Sequence, residues 1–439
     1  MTALRAIQPG PATVTTVAAG AAAVGLSAVA AVRPVEVLLG LGLLAVGVAG
    51  AWRADLALLL LIGIAPLEGA FDYGGLSPVK LAGLLAFGSF VLTAIATRRR
   101  VYLDWHHAVV VGLLLLAAIS TLFAFDLFEA RGVTIRYASF VALFFVVSQF
   151  VGDRRLQARI AWVLSTSAAV AGTLAVTGFL SGDRPLASLQ YTDPNDTAFV
   201  LATTLPLTFW LLRGRSGLAR LLVVAMIALI AVAVVLSFSR AAIVGLVGAA
   251  ILQAFLNRRQ LPIILLGFAV IATATVIVFR TNTATVERGF FMKRNVAAAN
   301  VESRFETWAA AARLASQHPI GVGPGNFQFY FAEAAGRPQG SSDVRVVHNA
   351  YLDVAAELGL LGLVLFVAYV VMSVHRLNTA VRRRLGPPGF ADAVRASLVV
   401  AIVAAITLSE QYYAPFWVLG GLAAALWAER RLTEPPPAT

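Results

Sequence analysis

Most of the chain consists of long apolar runs with few charged residues, and polar residues are concentrated in the stretches between them. Runs of about 18 or more apolar residues are long enough to cross a bilayer as helices. Fourteen such segments are predicted, at residues 12–32, 35–51, 55–66, 78–97, 107–125, 133–151, 158–180, 196–213, 218–237, 241–256, 261–279, 349–375, 394–409 and 413–428. The third segment is short and also fits a half-buried or re-entrant helix, so we expect 12–14 spans.

The same pattern predicts the fold class. No stretch repeatedly alternates apolar and polar residues as barrel strands do, and only helices and closed barrels satisfy their backbone in lipid. We therefore expect an all-α, polytopic integral membrane protein with one long loop that contains amphipathic helices. Its parts are an N-terminal transmembrane bundle (1–279), a loop domain (280–348) and C-terminal transmembrane helices with a tail (349–439). Together they form one integrated membrane domain.

Basic residues lie mostly on one side of this predicted membrane arrangement. With the N-terminus in the cytoplasm, 20 arginines fall in cytoplasmic stretches, and the short outer loops hold only Arg33, Arg131, Arg184 and Arg240. This bias follows the positive-inside rule. It predicts that both termini are cytoplasmic and that the long loop lies outside the cytoplasm. Residues 27–33 resemble a signal-peptide cleavage site, but we interpret the first segment as an uncleaved helix.

Composition excludes several other classes of protein. The chain is 59% apolar and 13% charged, whereas soluble domains carry about 25% charged residues. Soluble, disordered and fibrous proteins are therefore excluded. The absence of cysteine excludes disulfides, thiolate nucleophiles and cysteine-ligated metal centres. The net charge of +12 mainly reflects membrane orientation, and we expect no nucleic-acid partner.

The polar stretch at 280–348 interrupts the apolar pattern and is long enough to be functional. Within it, residues 301–316 have apolar side chains at Phe305, Trp308, Ala312 and Ala315, which is the spacing of one helix face. Trp308 suits the level of the lipid headgroups. Pro319 and the glycines that follow are expected to end this helix. The glycine run is either a phosphate cradle or a turn; it follows no strand and lacks the P-loop lysine, so we interpret it as a turn.

One histidine stands where the loop returns to the membrane. His348 begins the run that leads into segment 349–375, so it is a candidate general base for an extracytoplasmic substrate. The alternative is an interfacial histidine that caps a helix. Asn349, Asp353 and Glu357 follow at helical spacing, and carboxylates that deep are expected to face a cavity or to pair with arginines. No histidines share metal-ligand spacing, so we expect no metal site.

Arginines on the outer side are the candidate anion-binding residues. Arg240 lies in a very short outer turn, Arg136 lies a turn inside its segment, and Arg304 lies on the loop helix. Three separated guanidinium groups near one face suit a diphosphate, because arginine binds phosphate oxygens in a bidentate manner. The alternative is a set of ion pairs with the acids Asp183, Asp193 and Glu410.

The motifs resemble the O-antigen ligase and polymerase superfamily of bacterial membrane glycosyltransferases. The signature His-(Asn/Ser)-x9-Gly-x-x-Gly is met by His348-Asn349 and by Gly359-Leu-Leu-Gly362. Further matches are Ser239-Arg240, Arg304-x3-Trp308, the run 319–323, and Asp193-Pro-Asn195-Asp196. The motifs span roughly residues 190–365 and occur in the family's order, and the hydropathy outline covers the rest.

The resemblance implies a GT-C-like, metal-independent and inverting glycosyltransferase of the inner membrane that needs no cofactor. It implies transfer of a glycan from undecaprenyl diphosphate to a hydroxyl of a lipid A-core or related acceptor on the periplasmic side. The implied general base is His348. The donor diphosphate is assigned to Arg240 and Arg304, with Arg136 added mainly from its depth. Supporting roles are predicted for Asn349, Asp353, Glu357, Asn195 and Trp308.

Two alternatives stay open at this point. A polymerase of the same superfamily tends to have two substantial outer loops, and this chain has one large loop beside a modest one at 181–195. This favours a ligase. A lipid-linked-glycan transporter often shows internal repeats with broken helices, and no repeat is visible here.

Overall fold

The computed structural model describes residues 53–70, 78–98, 101–256, 258, 261–337, 345–409, 411 and 413–433. The predicted segments 12–32 and 35–51 lie outside these residues. Within the described ranges the chain is helical and contains no strand. The helices are α1 (Ala54–Ile64), α2 (Pro78–Ala96), α3 (Trp105–Thr121), α4 (Leu127–Ser148), α5 (Arg154–Leu180), α6 (Pro194–Trp210), α7 (Gly217–Leu236), α8 (Arg240–Leu256), α9 (Leu261–Thr281), α10 (Thr283–Gln317), α11 (Phe327–Ala334), α12 (Ala350–Arg383), α13 (Phe390–Ala404) and α14 (Ala414–Thr433).

Helices α1–α9 and α12–α14 correspond to the twelve predicted segments that fall in the described part of the chain. Five of them are long and apolar enough to cross a membrane: α2, α4, α5, α7 and α12. The second half of α9 and the start of α10 meet the same test together, although they are bent by 103°. The prediction of a helical membrane protein is confirmed. The count of fourteen spans stays a prediction.

Short polar side chains mark where several helices begin. The carboxylate of Asp126 accepts hydrogen bonds from the backbone of Phe128 and Glu129 at the start of α4. Asp104, Asp153 and Asp193 accept equivalent bonds at the starts of α3, α5 and α6. Each cap satisfies backbone N–H groups that have no partner inside the helix. The helix starts are therefore largely determined by local sequence.

The bundle is held together by small residues and by buried aromatic rings. Gly245 of α8 lies against the backbone of Val400 in α13, where an added Cβ atom would stand 2.8 Å from the carbonyl oxygen. Close backbone approach of this kind is typical of helix packing in membranes. Trp417 of α14 stacks on Tyr369 of α12 and on Phe140 of α4, at 5.2 and 6.0 Å between ring centroids. These contacts join α4, α12 and α14 into one core.

The polar stretch after α9 forms a small separate core together with the start of α12. This core is formed by Ala310, Ala311 and Leu314 of α10, by Phe327 and Phe331 of α11, and by Val322, Ala334, Val347 and Ala356. The helix predicted within 301–316 is longer than expected, because α10 runs from Thr283 to Gln317. It ends just before Pro319, as predicted. The turn predicted after it is also present, since residues 318–326 are not helical.

The predicted apolar face of α10 is only partly buried. Phe305 is 64% exposed and Ala312 is also exposed, whereas Ala310, Ala311 and Leu314 are buried. Of the other two residues of the predicted face, Ala315 is buried and Trp308 is half-buried against the loop core. The predicted face is therefore divided between buried and exposed positions.

Candidate functional site

His348 lies at the point where α12 is attached to the rest of the bundle. The backbone N–H of Ala350 donates hydrogen bonds to the carbonyls of Ala405 and Leu408, both at 2.9 Å. Asn349 is the N-cap of α12, and its side chain accepts bonds from two backbone N–H groups of the first turn. His348 itself has a φ of +51°, which is uncommon for a residue with a side chain, and it is half-buried. Backbone strain held by such contacts is a feature of functional positions.

Helix α10 holds the segment before His348. The indole Nε1 of Trp308 donates a hydrogen bond to the carbonyl of Val347 at 3.0 Å. Arg304 lies one helical turn before Trp308, about 6 Å along the axis. The carboxylate of Glu306 pairs with Arg337 at 2.7 Å and lies 3.7 Å from Arg345. Arg304 and His348 are therefore linked through one turn of α10 and the hydrogen bond between Trp308 and Val347.

Replacing Trp308 by phenylalanine removes this hydrogen bond and keeps most of the ring. We expect a loss of about 1 kcal/mol in stability, because one neutral hydrogen bond is lost. Turnover should fall up to about tenfold as the His348 segment loosens. Thermal unfolding and glycan transfer measure the two effects. Trp105→Phe is the control, since Trp105 is 80% exposed. Equal losses in both variants would contradict a positioning role for Trp308.

Arg240 and Arg304 come together although 64 positions separate them in the sequence. Burial, followed by the positive charge of Arg240, lowers the pKa of Arg304 below its usual value. In the described part of the chain neither guanidinium forms an ion pair with a carboxylate; Glu410, one of the predicted partners, lies outside it. Two like charges held close together favour binding of an anion, because the anion relieves their repulsion.

The packing of α8 on α13 places Arg240 at the His348 end of the bundle. Gly245 contacts Val400, and Gln253 donates a hydrogen bond to the carbonyl of Asp392, so α8 and α13 run in opposite directions. Arg240 lies five residues before Gly245, or about 7.5 Å further along the axis. That is the level of Ala405, to which the first turn of α12 is bonded. Arg240 therefore lies at the end of α13 to which the start of α12, directly after His348, is hydrogen-bonded.

A break in α12 explains the glycines of the signature. Gly359 has a φ of 73° and a ψ of −179°, so the helix is interrupted there. The chain after α10 fills the break: Val322 N–H donates to the carbonyl of Ala356 at 3.0 Å, and Gly323 N–H donates to that of Glu357 at 3.1 Å. The segment around Gly359 is therefore two helices that meet at a break, and not one continuous helix. At this position glycine allows the break and the close approach of the loop.

The polar residues of α12 are buried and support the helix. Asn349 is used as a cap, and Asp353 accepts a hydrogen bond from Gln411 at 2.9 Å. Glu357 is 3% exposed, and its backbone carbonyl also accepts a bond from Ser120 at 2.8 Å. These contacts give each residue a place in the scaffold around His348. Direct roles toward a substrate stay predictions.

Arg136 lies in a different environment from the other two predicted arginines. It lines a cavity of about 270 Å³ together with Asp196, whose carboxylate accepts a hydrogen bond from Tyr413. Arg136 also acts electrostatically on Asp196. Asn195 lies next to this cavity and donates to the Asp193 carboxylate at 2.8 Å. The structure thus brings Arg240 and Arg304 together and associates Arg136 with Asp196.

Two other histidines have structural partners at the far end of α12. His107 bonds to Asp104 at 3.0 Å and to Ser148 at 2.9 Å, and His106 bonds to Ser373 at 3.2 Å. Burial by itself raises the pKa of Asp104. Hydrogen bonds from His107 and Tyr102, with the charge of Arg376, instead hold that pKa well below its usual range. These histidines therefore stabilise the bundle.

Sequence reasoning missed Gln411 and Tyr413. Gln411 is fully buried and holds Asp353, and Tyr413 holds Asp196. The feature of the sequence that could have identified these two residues is a short polar run, Glu410-Gln-Tyr-Tyr413, between two apolar segments. Among the residues that the structure describes, no cluster of three or more His, Asp or Glu side chains is arranged to hold a metal ion.

Comparison with protein families gives one match. Residues 224–367 match the family model described as O-antigen ligase. The matched region includes Arg240, Arg304, Trp308, His348 and the break at Gly359. No curated protein sequence matches the chain.

Proposed function

Since the chain carries the domain of the O-antigen ligase family over residues 224–367, we propose that it is a ligase-type glycosyltransferase. It moves a glycan from undecaprenyl diphosphate to a hydroxyl of a lipid A-core or related acceptor. The reaction takes place on the periplasmic face of the bacterial inner membrane. The observation that supports the proposal is that Arg240 acts electrostatically on Arg304, whose helix is hydrogen-bonded through Trp308 to Val347, the residue before His348.

The proposed chemistry is a single displacement. His348 accepts the proton of the acceptor hydroxyl while that oxygen attacks the anomeric carbon of the donor sugar. The bond between this carbon and the phosphate oxygen breaks, and its electron pair leaves with the diphosphate. Attack from the face opposite the leaving group inverts the anomeric configuration. Arg240 and Arg304 stabilise the negative charge that develops on the leaving diphosphate, so the proposed step uses no metal ion.

A largely apolar cavity, whose lining on α8 begins one turn after Arg240, supports a lipid-linked donor. It has a volume of about 230 Å³ and lies between α6, α7, α8, α9 and α13. Its lining on α8 begins at Ile243, three residues after Arg240, and continues to Gln253. The cavity is lined mainly by apolar side chains, and Arg213, Gln253 and Asp392 are its polar lining residues. This arrangement suits an isoprenoid chain, part of which the cavity can hold.

Arg240→Ala tests the role of the arginine pair. We expect kcat/KM for the donor to fall about 10- to 100-fold, because a charge-assisted hydrogen bond contributes about 1.5–3 kcal/mol. Arg131→Ala, which removes an exposed arginine of α4 outside the arginine pair, should leave kcat/KM unchanged. Initial rates with purified protein in nanodiscs and an undecaprenyl-diphosphate-linked glycan measure both. An unchanged kcat/KM in Arg240→Ala would refute donor binding by this residue.

The product distinguishes a ligase from a polymerase. Purified protein is incubated with the lipid-linked donor and candidate acceptors, and the products are separated by size. Transfer of one intact block to the acceptor supports the ligase. A ladder of lengthening lipid-linked chains would show a polymerase instead.

A further inference from the structure

The cavity that contains Arg136 has a polar mouth and an apolar floor. Its volume is about 270 Å³, and it lies between the end of α1, α4, α5, α6 and the start of α14. Glu68, Tyr191, Thr192 and Asp196 line it where these helices meet the connecting segments. Deeper inside it is lined by the aliphatic side chains Ile62, Leu164, Val200, Leu207, Val418 and Leu419. A concave apolar site with a few polar groups is the usual form of a small-molecule site.

The charge of this cavity differs in sign from that of the arginine pair. Its charged lining residues are two carboxylates, Glu68 and Asp196, and one guanidinium, Arg136. An anionic ligand such as a diphosphate is disfavoured in a site with more acids than bases. Carboxylates accept hydrogen bonds from hydroxyl groups, and arginine donates them to ring and hydroxyl oxygens. The polar mouth therefore suits an uncharged ligand with many hydroxyl groups.

Tyrosines complete this mouth. Tyr191 is 53% exposed at its edge, and Tyr413 donates its hydroxyl hydrogen bond to Asp196. An amphipathic ring of this kind offers an apolar face and a polar edge to one ligand. A sugar ring has the matching character, with C–H groups on its faces and hydroxyls around its rim. The combination of carboxylates, arginine and tyrosines fits a carbohydrate better than a lipid tail.

A short chain segment connects the cavity with the His348 end of α12. Tyr413 lies in the cavity wall, and Gln411, two residues earlier, donates a hydrogen bond to Asp353 at 2.9 Å. Asp353 lies one turn after Asn349 on the same helix. The segment that contributes Tyr413 to the cavity is therefore also bonded to the first turns of α12, which follow His348. A ligand in this cavity is placed by the segment that also positions the proposed base.

We propose that this cavity binds the sugar of the acceptor, and that Arg136, Asp196 and Glu68 recognise its hydroxyl groups. The acceptor role rests on the proposed glycosyltransferase function, whereas carbohydrate binding by the cavity does not. Arg136 then belongs to acceptor recognition, and donor binding is left to Arg240 and Arg304. The proposal thus separates an acidic acceptor site from a cationic donor site.

Binding without turnover tests the carbohydrate site directly. The full chain in nanodiscs is titrated with the phenyl β-glycosides of glucose, galactose and mannose, and with phenyl phosphate, using saturation-transfer NMR. We expect saturable binding of at least one glycoside. Arg136→Gln should weaken it at least fivefold, whereas Arg131→Gln, which removes an exposed arginine of the same helix, and Arg240→Ala should leave it unchanged. Phenyl phosphate should show the opposite dependence, on Arg240 and not on Arg136.

A second variant covers the case in which Arg136→Gln does not fold, which thermal unfolding reveals. Tyr191→Ala removes an exposed ring at the cavity mouth and should also weaken glycoside binding. The proposal is overturned if no glycoside binds saturably, or if binding depends on Arg240 and not on Arg136 or Tyr191. Because no donor is present, this result is independent of glycan transfer. Glycoside binding without any transfer would contradict the glycosyltransferase and leave the carbohydrate site standing.

Kinetics then assign the site to the acceptor. In transfer assays Arg136→Gln should raise KM for the acceptor about tenfold and leave KM for the lipid-linked donor unchanged. Arg240→Ala should show the reverse. A rise in donor KM alone in Arg136→Gln would overturn the acceptor assignment and return Arg136 to the donor site.

Discussion

Replacing His348 by alanine is expected to lower kcat for glycan transfer by about 10²–10⁴-fold, the contribution that a general base typically makes. The expected cause is loss of the group that accepts the proton from the attacking hydroxyl. Donor binding should persist, because the arginines that are proposed to hold the diphosphate stay in place. Initial rates with saturating donor and acceptor, together with a donor-binding titration, separate these two quantities.

His318→Ala is the matched control for this prediction. His318 also lies in the loop domain, where its ring packs against Tyr330 at 5.8 Å between centroids. Its removal should change kcat little, because it ends α10 and does not precede α12. Near-normal turnover in His348→Ala would exclude general-base catalysis by this residue. A helix-capping role alone would predict lower stability with kcat preserved in the folded fraction.

Gly359→Ala is expected to cause the largest loss of folded, active protein. The backbone at this position is in a region that only glycine readily adopts, and an added Cβ atom would lie 2.0 Å from the carbonyl oxygen of Pro319. Backbone strain and overpacking together cost roughly 2–6 kcal/mol. The loop at 319–323 would have to move, and with it the contacts that hold α10 beside His348. We expect a lower unfolding temperature and transfer reduced more than 100-fold.

Gly132→Ala is the control for this substitution. Gly132 lies in α4, and nothing stands within 4 Å of an added Cβ atom. Alanine is the better helix former, so stability should be unchanged or about 1 kcal/mol higher. If Gly359→Ala unfolds at the same temperature as Gly132→Ala and remains active, then the break in α12 is not required.

The positions of the helices were predictable because their causes are local. Hydrophobic runs set the helices of the bundle, and Asp104, Asp126 and Asp153 cap helix starts through contacts a few residues away. The end of α10 before Pro319 follows from proline chemistry. The first two predicted segments and the tail lie outside the described residues. Their predicted topology is therefore an expectation.

The contacts between distant segments were not predictable in the same way. A periodic apolar pattern does not specify which neighbouring segment covers a helix face, and in α10 Ala315 is buried whereas Phe305 is exposed. Gly359 has the spacing of a packing stripe, and only the approach of Pro319 and Val322 reveals a break. Gln411 and Tyr413 act through α12 and α6, which are far away in sequence.

By itself the sequence determined a helical membrane chain and a histidine where the loop re-enters the bundle. It also determined a few arginines that lie on the predicted outer side, against the positive-inside bias. Each of these features follows from hydropathy or from local motifs, which do not depend on contacts between segments that are distant in the sequence. Only the tertiary structure decided which arginines meet. Arg240 joins Arg304 because α8 packs along α13 and Trp308 of α10 is bonded to Val347, whereas Arg136 faces Asp196 across a separate cavity. Electrostatic pairing depends on distance in space, and helix packing sets that distance.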